Sequence, residues 1–250
     1  MGVSLRCFTL AAVTGLAAAM LLTQARGQAT ETTKNLVQPT PTVAPTPTAI
    51  IPSALQLLSQ ASGSTDSMGS VLEVGHFHSS DNAVYDGFRL WANFSWKHQV
   101  FRDHHVFAKP AYINKSLGYS SDVRRFAVGW KTGMQVNGKW SCGHQPPAKS
   151  AVLWQPPSFA LTSPRVVGAV HVEGQAVWDV RGEFAHRFAG QSSHITVDLF
   201  INRSSGLYVQ ARESGWSRNG QGRSAQVTGM LDYSSYGRPV HVTIPKHCQP

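Results

Sequence analysis

The residues in this sequence best equipped for chemistry are closely spaced histidines. The stretch "GHFHS" places His76 and His78 two residues apart, and "RDHHVF" sets Asp103 beside His104 and His105. Residues two apart on a strand share a face. His76 and His78 could therefore chelate a metal, with Asp103 completing the set, since imidazole and carboxylate are ordinary zinc donors. No motif that turns such ligands to catalysis accompanies them: there is no His-x-x-x-His with a glutamate, no Gly-x-Ser-x-Gly elbow and no phosphate-cradling glycine loop. The pattern reads as solvated histidines on sheet faces, in a protein with no catalytic residues, no metal and no cofactor. A metal site drawn from His76, His78, Asp103, His104 and His105 stands as the alternative.

Cysteine chemistry points to a crosslink. Of the three cysteines, Cys7 falls inside an apolar N-terminal leader, which leaves Cys142 and Cys248. In an exported chain these two are expected to pair, closing a loop of roughly 100 residues worth about 4 to 5 kcal/mol on the chain-entropy account. Two unrelated free thiols are the alternative. Seven tryptophans, Trp91, Trp96, Trp130, Trp140, Trp154, Trp178 and Trp216, offer a further kind of recognition. Rings exposed on a sheet can stack on sugars, so an extracellular carbohydrate-binding or adhesive β module is the second functional reading; Trp140 and Trp178 are expected in the core.

The elements that must position these side chains follow from composition and periodicity. Arg6 precedes the apolar run "FTLAAVTGLAAAMLL", and the small residues of "TQARGQA" suit cleavage, so residues 1–29 read as a signal peptide with a retained anchor as the alternative. Residues 30–52 include "QPTPTVAPTPTAIIP", where repeated proline favours an extended spacer. The folded domain spans 53–250. The formal charge of +9 on 250 residues falls by two once Arg6 and Arg26 leave with the leader. A basic exported chain suits an anionic envelope surface. Its Lys and Arg residues are scattered, with only Arg124 and Arg125 adjacent, so nucleic acid is not expected as a partner.

Within the domain, "SALQLLSQASG" reads as one helix: Ser53 caps it, Leu55, Leu57 and Leu58 give it an apolar face, and Gly63 stops it. Downstream, period-two alternation dominates, over Val71 to Phe77, Phe88 to His98, Phe126 to Val136, Val166 to Val172 and Ala176 to Arg181. In "VDLFINRSSGLYVQAR", Val197, Leu199 and Ile201 share a face, and after the "NRSSG" turn Leu207, Val209 and Ala211 share one. Ala225 to Tyr233 and Val240 to Ile244 complete the series. Serial strands with short turns predict a mainly β (α+β) fold: a large curved antiparallel sheet forming an unclosed barrel over one or a few short helices.

Four blocks carry a family resemblance. "VGWKTGMQVNGKWSC", "VVGAVHVEGQAVWDVRGEF", "VDLFINRSSGLYVQARES" and "LDYSSYGRPVHVTIP", in that order over Phe126 to Pro245, resemble the strand and turn blocks of bacterial LolA-like carriers of the LppX/LprG type. The resemblance implies a half-barrel with an apolar interior for acyl chains, and a non-catalytic role in carrying lipid or acylated protein in the bacterial envelope; with the leader removed, the chain is expected as a secreted monomer. Many relatives end their signal peptide in a lipid-bearing cysteine. Here Cys7 precedes the apolar run and no lipobox follows it. Thin helical signal and three prolines between Leu153 and Pro164 further imply reduced helical filling of the groove. On this reading Val177, Val197, Leu199, Ile201, Leu207 and Val209 line or floor the hollow, with Leu55 and Leu58 capping it from the helix.

Overall fold

The computed structural model describes residues 51–80, 86–114, 118–144, 161–188, 191–218 and 224–248. The expected signal peptide, nearly all of the spacer, Trp154 and most of the segment predicted to be poor in helix lie outside the described residues.

One helix, α1 (Ala54–Met68), opens the domain. Its start is fixed by a reciprocal cap: the Ser53 hydroxyl accepts the Gln56 amide at 3.3 Å, and the Gln56 side chain accepts the Ser53 amide at 3.1 Å. The helix runs through Gly63, which sits exposed within it, and stops at Gly69, whose φ of 76° is the left-handed geometry of a helix terminus. The expectation of a stop at Gly63 is thus corrected. Ala61 and Thr65, one helical turn apart on either side of it, are fully buried, and their packing carries the chain past a glycine that costs about 1 kcal/mol. Among the described residues no helix is long and apolar enough to cross a membrane.

Eleven strands follow: β1 (Val71–Ser79), β2 (Phe88–Ser95), β3 (Val100–Asn114), β4 (Gly118–Val128), β5 (Lys131–Val136), β6 (Lys139–His144), β7 (Thr162–Val172), β8 (Gln175–Phe188), β9 (Gln191–Asn202), β10 (Tyr208–Arg218) and β11 (Ser224–Ser234). They form one sheet in the order β6-β5-β4-β3-β2-β1-β11-β10-β9-β8-β7. Every neighbouring pair is antiparallel. Two meanders, β1–β6 and β7–β11, are therefore joined in the middle by β1 and β11, and β6 and β7 remain as opposite edges. The sheet is unclosed.

Turn chemistry sets the registers. Asn137 and Gly138 (φ 51° and 77°) make the two-residue β5–β6 turn, and Glu173 and Gly174 (φ 49° and 78°) the β7–β8 turn, both with the positive φ pair that matches strand twist. Between β9 and β10, the Asn202 carboxamide accepts the amides of Ser204 and Ser205, each at 2.9 Å, before Gly206 turns the chain with φ 70°.

Past β11 the chain adds no further strand to the sheet among the described residues. Val240 to Ile244, expected as a closing strand, has no strand pairing. The tail is instead held at the end of the sheet where β1 begins: Gly237 donates to the Ser70 carbonyl at 3.2 Å, and the Ser70 hydroxyl donates to the Arg238 carbonyl at 2.7 Å. It finishes in a 3-10 turn, Lys246–Cys248, whose Cys248 is disulfide-bonded to Cys142 of β6 with Cα atoms 5.5 Å apart. The expected pairing is present.

Candidate ligand-binding face

Alternation divides the sheet into a helix-bearing inner face and an outer face. The registers connect one inner row across both meanders: Val180, Leu199, Ala211, Leu231, Gly75, Leu90, His105, Val123 and Val136. Every member except His105 is apolar or glycine. Under α1, Leu57, Leu58 and Ala61 pack with Val71, Val180, Val197, Leu199, Ile201, Tyr208 and Tyr233. Full burial of side chains such as Leu199 contributes about 1.5–3 kcal/mol each. The Tyr208 hydroxyl lies 3.2 Å from that of Ser62, tying helix to sheet.

A second apolar cluster lies on the inner face of the β1–β5 half. Phe88, Phe107, Ala111, Val123 and Val136 are buried, with Phe77, Leu90 and Met134 against them. Ring centroids separate by 5.6 Å for Phe77–Phe88 and 5.0 Å for Phe88–Phe107. All the described members of this cluster come from strands.

One buried ionic group borders these rings. Arg125 of β4 faces Asp103 of β3 directly across the ladder, and its Nε donates to the two Asp103 carboxylate oxygens at 3.1 and 2.9 Å. The Arg125 Nη2 also bonds Asp103, and His105 Nε2 meets the same carboxylate at 3.0 Å. Burial, the largest influence on Asp103, pushes its carboxyl up, but Arg125 and His105 together outweigh it and hold the group at about 2. Burial likewise opposes the Arg125 charge, and Asp103 overcomes it to raise the guanidinium pKa. A second inner-face acid, Glu213, sits opposite Gly229, which in turn faces Phe77. It has neither ion pair nor hydrogen bond among the described residues, and burial alone lifts its carboxyl to about 7.

The structure redistributes the residues nominated from sequence. Leu58, Val197, Leu199 and Ile201 meet in the core beneath α1. Leu55, expected to cap the hollow, is 69% exposed, because the helix presents Leu57 and Leu58 to the sheet instead. Val177 and Val209 lie on the outer face, packed with Val172 and Phe200. For Val177 the register decides this: it pairs with Asn202, whose parity is opposite to that of Ile201. For Val209 the cause is a β-bulge. Tyr208 pairs with Ile201 and Gln210 with Phe200, so Val209 is the extra residue and the alternation slips by one. Leu207 is half-buried in the turn.

The histidine pattern is also divided. His76, His78 and His104 belong to the outer face, whereas Asp103 and His105 point inward. His78 contacts Asp86 at 3.1 Å and His104 contacts Asp122 at 2.8 Å. The five residues do not converge on one point. Among the described residues the grouping with metal-ligand spacing is Cys142, His247 and Cys248, and its cysteines are joined as the disulfide. Nor do the described tryptophans form a platform. The most exposed, Trp130 (56%) and Trp216 (43%), stand at opposite ends of the sheet, in the β4–β5 turn and near the end of β10. Trp91 stacks on His104, Trp140 leans on Phe126, Trp96 donates to the Asp66 carbonyl and Trp178 joins the core beneath α1. Residue periodicity gave no sign of Arg125 or Glu213 as inner-face charges, since both depend on cross-strand register.

No protein-family model matches the sequence, and no curated protein matches it. Solved structures do. LprF from Mycobacterium bovis matches with a TM-score of 0.52 at 13% identity, over 77% of this chain and 96% of that one. The chain has the LolA-like half-barrel fold. LppX from Mycobacterium tuberculosis is matched at 14% identity over 76% of this chain and 99% of its own, with a TM-score of 0.46.

Proposed function

We propose that this protein is a secreted, non-catalytic binder or carrier of lipid or of the acyl chains of a modified protein, acting as a monomer in the bacterial envelope. The observation that supports this most is the inner row of apolar and glycine residues crossing both meanders, with a helix over one half and an aromatic cluster on the other. Leu58, Val197, Leu199 and Ile201 serve as the floor beneath α1, and Phe77, Phe88 and Phe107 receive the chain. Covering each methylene is worth about 0.8 kcal/mol, so a chain of about sixteen, worth about 13 kcal/mol, leaves about micromolar attraction once association costs of about 4–5 kcal/mol are subtracted, without a directional polar contact. The LprF-type half-barrel supplies a fold suited to this use. Purified protein extracted with organic solvent and analysed by mass spectrometry should release acyl-bearing species in near-stoichiometric amount. Clean extracts from several expression hosts, with no uptake of added single-chain amphiphiles, would overturn the proposal.

A further inference from the structure

A depression of about 410 Å³ opens at the rim of the half-barrel, where β1 ends and β2 begins. Its lining comes from both faces of the sheet: Phe77 and Phe88 from inside, and His76, His78 and Arg89 from outside. His76 and Arg89 stand directly opposite each other in the β1–β2 ladder. Cross-strand partners have Cβ atoms about 5 Å apart. Both side chains therefore leave the same patch of the outer face.

Among the described residues, Arg89 is the full positive charge in the lining of this mouth. Neither Arg89 nor His76 has an acidic partner among the described residues, and the acid nearby, Asp86, is taken up by His78. The Arg89 guanidinium lies 5.8 Å from the centre of the Trp91 ring, a contact that steadies it on the outer face. Arginine donors in a fixed fork match the oxygens of a phosphate or carboxylate. Phe77 and Phe88, from the inner face of the same strands, give the depression its apolar wall.

We propose that this rim depression binds the phosphate group of an amphiphile, with Arg89 and His76 on the oxyanion and the first methylenes of the chain against Phe77 and Phe88. The assignment rests on the acyl-binding reading for its inner half; the anion contacts stand apart from it. The same oxyanion chemistry could be met by free phosphate, and the two sources separate experimentally.

The test compares dodecyl phosphate, dodecyl maltoside and inorganic phosphate, all below micellar concentrations, by titration calorimetry with tryptophan fluorescence as a second readout. The variants are Arg89→Gln, His76→Gln and, as an outer-face control, Arg124→Gln. Arg89 is exposed, so its variant should keep the wild-type circular dichroism spectrum. Dodecyl phosphate should bind wild type at least tenfold tighter than dodecyl maltoside, and Arg89→Gln should erase that preference, as loss of a charge-assisted contact implies. His76→Gln should narrow the preference, and Arg124→Gln should preserve it. Inorganic phosphate that binds as tightly as the ester, and is equally sensitive to Arg89→Gln, supports the oxyanion site and identifies free phosphate as its source. Equal binding of the two dodecyl compounds to wild type, or a preference untouched by Arg89→Gln, overturns the site while leaving acyl binding intact. Failure of all three probes to bind overturns the rim site, and the solvent extraction judges the acyl-binding reading separately.

Discussion

Replacing Asp103 by Asn would remove the buried carboxylate that holds Arg125 and His105. Its folded pKa of about 2 against an ordinary 3.8 corresponds to about 2 kcal/mol favouring the charged form in the folded state. The variant should cost more, because it strands a cation. Breaking a buried pair costs about 3–5 kcal/mol, and the Arg125 side chain keeps 32% exposure, which places the expected loss near the lower end, about 3 kcal/mol. Urea denaturation at pH 7 is the assay. With a slope of about 2 kcal/mol per molar, the midpoint should fall by about 1.5 M. Adding Arg125→Met to Asp103→Asn should recover much of the loss, since the unpaired cation goes too. The pH dependence has a definite sign. A depressed folded pKa gives stability that is complete above the unfolded value of 3.8 and lost as pH falls through about 2, so wild type should lose its advantage over Asp103→Asn across that window. A midpoint shift below 0.3 M, or strictly additive effects in the double variant, would refute the reasoning.

Glu213 should behave in the opposite sense: with its folded carboxyl lifted to about 7 from 4.5, stability is greatest at low pH and falls as pH rises between those values. Glu213→Gln should therefore be more stable than wild type at pH 8, by about 1–2 kcal/mol after allowance for partial exposure, with the gain shrinking toward pH 5 in the same urea assay. Replacing both Cys142 and Cys248 by Ser opens a loop spanning 106 residues of sequence and should cost up to about 5 kcal/mol, measured as the difference between oxidised wild type and the variant. Gly229→Ala would put a Cβ 2.6 Å from the Phe77 ring, so it should destabilise by about 1–3 kcal/mol, and Phe77→Leu in the same chain should relieve part of that in thermal unfolding.

The architecture was legible because its signals are local. Alternation over Val71 to Phe77 and Ala225 to Tyr233, the turn glycines after Asn137 and Glu173, and a cysteine pair in an exported chain each state their meaning within a few residues or by simple pairing. What escaped depends on register. One extra residue at Val209 reverses the facing of a side chain that strict alternation would turn inward, and nothing in "LYVQ" announces a bulge. Asp103 and Arg125 face each other only once β3 and β4 are aligned through their own irregularities between Val106 and Ala111. The histidines look like a cluster in the linear text, yet a one-residue step between His104 and His105 sends them to opposite sides of the sheet. Val240, Val242 and Ile244 alternate as a strand would, but the central position beside β11 is already filled by β1, so no partner edge remains there.

Closing the tail onto β6 joins the last residues of the second meander to the last strand of the first. A single proteolytic cut anywhere between Cys142 and Cys248 would consequently leave two pieces that stay covalently joined. The nicked protein would run as one species on a non-reducing gel and as two after thiol treatment. With β1 and β11 hydrogen-bonded along the seam, a cut ahead of β11 also leaves the two pieces a template for staying together.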